Sequence, residues 1–135
     1  MLNCQIENVD LLQKGLYAAT VRNNVIANNI ANVNTPHFKR SDVEFEKILK
    51  ETLYSRKLRG YITNPKHIPI GPPPVDSVQP QIIQENTTSM RLDENNVDID
   101  VEMSKLAKNQ LYYYALVQRV SGELNSIITA VKDGR

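Results

Sequence analysis

Three kinds of side chain in this sequence could do chemistry: a run of alternating carboxylates, two histidines and a lone thiol. The carboxylates lie in Asn95-Asn96-Val97-Asp98-Ile99-Asp100-Val101-Glu102-Met103. That pattern invites a calcium loop, yet the glycine such a loop needs is absent and the acceptor spacing is wrong. His37 and His67 fall in separate loop segments with no carboxylate or thiol at ligand spacing, and no glycine-rich phosphate loop accompanies them. Cys4 is the single cysteine, which rules out an internal disulfide framework and fits no zinc spacing, leaving a free thiol. The sequence therefore predicts no catalytic, cofactor-binding or metal-ligating residue, and no enzyme.

The carboxamides are more informative. Ala27-Asn28-Asn29-Ile30-Ala31-Asn32-Val33-Asn34-Thr35-Pro36 uses asparagine at four of seven positions, 28 to 34, although asparagine is a poor helix former. A helix ending in a loop accounts for Asn34, Thr35 and Pro36 as turn and cap, because asparagine tolerates the left-handed conformation and the residue before proline avoids the helical one. Asn28, Asn29 and Asn32 need another reason. A carboxamide donates and accepts at once, which suits a helix surface packed against other helices, so these three are predicted subunit-interface residues. At the other motif Asp98 reads as a helix N-cap, with Asp100 and Glu102 in the first turn where the helix dipole favours negative charge.

The elements that must position these residues follow from periodicity. Over about residues 8 to 33, alternating steps of three and four pick out Val9, Leu12, Leu16, Ala19, Asn23, Ile26, Ile30 and Val33. Over about 99 to 132, the same stepping picks out Met103, Leu106, Gln110, Tyr113, Val117, Val120, Leu124, Ile127 and Val131. Each seam has one polar position, and the pair is predicted to pack as an antiparallel, hairpin-like coiled coil. Whether Asn23 meets Gln110 is left open by the sequence.

Between them, 42 to 54 suggests a short amphipathic helix with Phe45, Ile48, Leu49 and Leu53 on one face behind an Asp42 cap. Tyr61-Ile62-Thr63 suggests a short strand, and Val78 to Ile83 an edge strand around Pro80. Six of the seven prolines fall between Pro65 and Pro80, favouring extended, polyproline-like structure. Gln84 to Asn96 is polar, with little to order it in isolation. The predicted fold is mainly α: two long terminal heptad helices packed as a coiled coil, joined by an irregular proline-rich middle with a short helix and minor β. It divides as 1–34, 35–97 and 98–135 within one structural unit.

With 16 basic and 15 acidic residues among 135, the net charge of +1 offers no field toward nucleic acid or an anionic membrane. The N-terminal residues lack the basic start and apolar run of a signal peptide. No stretch is long enough to span a bilayer, so direct membrane insertion is not expected. Between residues 9 and 33 only Asp10, Lys14 and Arg22 carry charge, far fewer than a solvated face would normally hold. Of Tyr112, Tyr113 and Tyr114, only Tyr113 lies on the seam; its neighbours project outward and read as subunit contacts. A two-helix seam lacks the second layer that stabilises a domain. Neighbouring copies are expected to supply it.

Ala27 to Lys39 resembles the N-terminal signature of the bacterial flagellar rod and hook axial proteins, with His37 standing where that family more often carries glycine. The run Asn95 to Met103, its continuation Leu106-Ala107-Lys108-Asn109 and Tyr112, and Asn64-Pro65-Lys66-His67-Ile68 are similar to the smallest, proximal-rod members. The chain is too short for the β-rich insertion of distal rod and hook proteins, and Thr35-Pro36 follows the asparagines without the extra loop of FlgC.

The resemblance implies a non-enzymatic building block of the helical drive shaft that transmits motor torque. It implies export unfolded through the flagellar type III apparatus without a cleavable signal, and assembly in the periplasmic part of the basal body. The implied partners are copies of itself, FlgC, FliE and the ring protein FliF. A FlgC-like rod protein is the nearest alternative. A generic coiled-coil adaptor that binds one partner helix is another, but it would need a charged outer face for solubility.

Overall fold

A computed structural model describes residues 2–54, 77–86 and 94–133, the side chains of 2–7 and 133 aside. Its elements in chain order are α1 (Leu2–Ala31), β1 (Ser41–Glu44), α2 (Glu46–Tyr54), β2 (Gln81–Gln84) and α3 (Ile99–Asp133). The chain is mainly helical, and no helix among the described residues is long and apolar enough to cross a membrane.

Local chemistry sets the ends of the long helices. At the close of α1, Asn32 Nδ2 donates back to the Asn28 carbonyl at 2.8 Å, and Thr35 N–H closes a turn on the Asn32 carbonyl at 3.0 Å. Asn34, Thr35 and Pro36 are exposed in that turn. His37 follows at φ 61°, a left-handed conformation that glycine adopts freely and a β-carbon makes costly. The preference for glycine here thus has a backbone reason. At the start of α3, Asp98 Oδ1 accepts from the N–H groups of Asp100 at 2.9 Å and Val101 at 3.4 Å, the geometry of an N-cap.

The two long helices run antiparallel, since contacts climb one as they descend the other: Asn29 bonds Glu102, Ala19 bonds Asn109, and Gly15 faces Leu116. Small residues bring the axes together. A β-carbon on Gly15 would stand 3.3 Å from Leu116 Cδ1, and Gly15, Ala18 and Ala19 are all buried. Against one side of α1 sits a small core of Ala18, Phe45 and Val78, with Ile48 and Leu49 packed on it. β1 and β2 pair antiparallel, from Ser41 opposite Gln84 to Glu44 opposite Gln81.

The structure corrects the sequence reading in three places. Residues 41–44 form a strand, not the first turn of a helix, because β2 supplies backbone partners there. Asp42 is therefore no cap; it accepts from Val43 N–H and pairs with Lys105. Second, the short helix buries Thr52 while Leu53 is exposed. Third, the edge strand begins after Pro80, which has no N–H to give a ladder, and Val78 turns into the core. The anticipated strand at 61–63 and most of the proline-rich segment lie outside the described residues.

Helix rotation departs from the predicted seams. On α1, Ile26 is buried, Leu12, Leu16 and Ile30 are half-buried, and Asn23 is exposed. On α3, Leu106, Val120 and Ile127 are half-buried, whereas Gln110, Tyr113, Val117 and Leu124 are exposed, and so are Met103 and Val131. The inward positions one residue earlier are Glu102, Asn109, Leu116 and Glu123. Two polar side chains cause the turn: Asn109 donates to the Ala19 carbonyl at 2.9 Å, and Glu102 accepts from Asn29. A template that looks for apolar residues cannot see polar ones that point inward.

Candidate functional site

The end of α1 and the start of α3 meet in a polar clasp. An α-helix leaves its last four carbonyls without partners. Here Asn95, 0% exposed, turns its Nδ2 toward the carbonyls of Asn32, Val33 and Thr35, each at 3.0 Å, while its Oδ1 accepts from Val97 N–H at 2.8 Å. Two N–H bonds facing three carbonyls means that one is shared, a common arrangement at helix ends. Asn96 extends the clasp: its Oδ1 accepts from Arg40 N–H at 2.7 Å and its Nδ2 donates to the Glu85 carbonyl at 2.9 Å.

Below this lies a second layer. Asn29 and Glu102 are each 1% exposed. Asn29 Nδ2 donates to Glu102 Oε2 at 2.9 Å and to the Ser41 carbonyl at 2.8 Å, and its Oδ1 accepts from Ser41 N–H at 3.1 Å. Arg40 and Lys105 approach Glu102 Oε1 at 3.7 Å, and Arg40 also pairs with Glu85. Lys105 Nζ donates to Asp42 Oδ2 at 3.0 Å. Burial works to raise the Asp42 pKa. The Lys105 hydrogen bond, Val43 N–H and the charges of Lys105 and Arg40 outweigh it and hold the carboxyl below its ordinary range.

A separate tie joins α1 to α2. Arg22 grips both oxygens of Glu46, at 2.9 and 2.6 Å, and also donates to the Val43 carbonyl. The Glu46 hydrogen bond raises the Arg22 pKa, with burial opposing it. For Glu46, burial pushes upward and the Arg22 bond and charge win, leaving that pKa lowered.

Asn29 was expected to face another copy; it is instead buried within the chain with its carboxamide bonded on both sides, which leaves nothing to offer a neighbour. Asn28 is exposed, and Asn32 is half-buried. Tyr112 and Tyr114 are exposed, as is Asp100 in the first turn of α3. Asn23 and Gln110 line one cleft together with Tyr113 and Tyr114. Sequence reasoning missed Arg40, Asn95, Asn96, Lys105 and Asn109. A usable signal was present, since both motifs are asparagine-rich and polar where they should be apolar or charged.

Arg22, Asp42, Glu46, Lys105 and Lys108 line a cavity of about 410 Å³, but their charges are tied to one another as Arg22–Glu46 and Lys105–Asp42 pairs, and no group of three or more His, Cys, Asp or Glu among the described residues could hold a metal. What the clasp can do is mechanical: it fixes the angle and register of two long helices.

The family pattern described as "Flagella basal body rod protein" matches residues 11–39. The chain is 37% identical over 124 residues to the flagellar basal body rod protein FlgB of Bacillus subtilis (strain 168), covering 92% of each chain. It is 34% identical to that of Borrelia hermsii, over 93% of this chain and 96% of the relative. With that of Proteus mirabilis (strain HI4320) it shares 30% identity, over 90% and 91%.

Proposed function

Because the chain belongs to the FlgB family of flagellar basal body rod proteins, we propose that it polymerises in the proximal rod into the helical shaft that carries motor torque. Membership makes it a structural subunit of the basal body rod and not an enzyme. The observation that supports the finer reading is the clasp. Torque passes through a subunit only if its two long helices cannot slide or hinge, and Asn95, Asn29 and Glu102 bind the end of one to the start of the other. A head-to-tail contact that does not close on itself then builds a helical tube.

The partners under this reading are further copies, FlgC, FliE and the ring protein FliF. The route is the flagellar type III export apparatus, without a cleavable signal, to the periplasmic part of the basal body. The packing of α1 on α3 is read as a coiled coil that neighbouring copies complete. Deleting the gene in the native host should abolish rods and swimming, and purified wild-type basal bodies should contain the chain. Swimming by the deletion strain, or absence of the chain from those basal bodies, would overturn the proposal.

A further inference from the structure

We propose that the free edge of β2 pairs with the same edge of a second copy, antiparallel and about a two-fold axis, with Ile83 facing Ile83, in folded chain that has not entered a rod. This goes beyond the rod reading and does not depend on it, because a head-to-tail polymer points every copy the same way and has no place for a two-fold pair.

The hydrogen-bond alternation of the small sheet identifies which backbone groups are free. Glu85 N–H donates to the Arg40 carbonyl at 2.8 Å, one step beyond the Ser41–Gln84 pair. Bonded and non-bonded pairs alternate along an antiparallel ladder, so Asp42–Ile83 and Glu44–Gln81 are bonded pairs as well. The N–H and C=O groups of Ser41 and Val43 then point away from β2, and those of Ile82 and Gln84 point away from β1. The β1 side is closed: Asn29 takes both backbone groups of Ser41, Arg22 donates to the Val43 carbonyl, and Asp42 Oδ1 accepts from Val43 N–H. On the β2 side, the backbone groups of Ile82 and Gln84 meet no partner among the described residues.

The residues of β2 do not guard that edge. Gln81–Gln84 are all exposed, none is charged or a proline, and Ile82 and Ile83 are 61% and 42% exposed. Edge strands that stay unpaired normally carry a charge, a proline or a bulge against pairing. An occupant must present free N–H and C=O groups on alternate residues of an extended, uncharged strand. Among the described residues only β2 has such a row, so the strand that fits is β2 of a second copy. Setting Ile83 opposite Ile83 places Ile82 of each copy opposite Gln84 of the other, and the free groups of both strands then bond reciprocally. The two isoleucines meet as a non-bonded pair, where side chains approach most closely. No like charges come together along the strands.

The purified full chain should sediment as a monomer–dimer equilibrium across a dilution series. Ile83→Lys sets like charges opposite one another and removes the apolar pair, so its dimer dissociation constant should rise at least about tenfold while its helicity by circular dichroism matches wild type. Single cysteines in a Cys4→Ser background test the register. On mild oxidation Ile83→Cys should give a linked dimer and no higher species. Ile82→Cys should not link, because in this register its mate on the second copy lies beyond disulfide reach. A wild-type chain that stays monomeric at every concentration, a dimer that Ile83→Lys leaves intact, or equal linking by the two cysteine variants would each refute the pairing. None of these outcomes touches the rod reading, which is tested by rods and swimming.

Discussion

Asn29 on α1 donates to Glu102 on α3 across 73 residues of sequence, at 2.9 Å, with both side chains buried. The bond joins the two stretches whose composition stood out in the sequence. Removing one partner from a buried charged hydrogen bond leaves the other uncompensated. Asn29→Ala should destabilise the chain by about 2–4 kcal/mol in urea unfolding. Glu102→Gln should also destabilise, because it keeps an oxygen acceptor for Asn29 but turns an uncharged amide toward Arg40 and Lys105. A Glu102→Gln variant as stable as wild type would mean that the carboxylate's charge is irrelevant here.

Asn95 makes a sharper case, because its chemistry and not its size does the capping. Asn95→Ala should cost about 1–3 kcal/mol and speed amide exchange around residues 94–102. Asn95→Asp, nearly identical in shape, should be worse, since it replaces the donor facing three carbonyls with an acceptor. An aspartate variant as stable as wild type would remove the clasp from any account of stability.

His37 sits at φ 61° and pairs with Glu94 at 3.2 Å, both side chains largely exposed. An exposed pair of this kind contributes up to about 1 kcal/mol, and left-handed backbone costs a non-glycine residue about as much. Melting temperatures should therefore rank His37→Gly equal to or above wild type and His37→Val below both. A valine variant that melts with wild type would show that the turn relaxes.

Ile26 and Leu124 separate the predicted seams from the observed packing. Ile26 is buried, so Ile26→Asp strands a carboxylate and should unfold the hairpin in circular dichroism. Leu124 is 45% exposed, so Leu124→Asp should leave monomer helicity intact and act, if anywhere, on assembly. Matching helicity losses in both would place Leu124 on the buried seam.

Asp42 and Glu46 set the acid response. Their folded pKa values lie below the ordinary 3.8 and 4.5. The stability they confer is present above those ordinary values and is lost as pH falls through the lowered ones. Urea midpoints should hold from pH 7 to about 5 and drop below about 4. Asp42→Asn should make that drop shallower. A midpoint that rises on acidification would reverse the sign.

Features that depend only on neighbours along the chain were legible from the residues alone. Heptad spacing located α3 closely and found α1 while starting it six residues late, Asp98 marked the start of α3, and Asn34-Thr35-Pro36 marked the turn after α1. The asparagine run was conspicuous too, but Asn28 and Asn29 are the same residue on the same helix. Only the arrival of Ser41 and Glu102 makes one a buried joint and leaves the other in solvent. Tertiary structure likewise turned residues 41–44 into a strand and rotated α3 onto Glu102 and Asn109. Spacing reports which residues share a face. Which polar group finds its partner on a distant element, and so which face turns inward, is settled when that element packs.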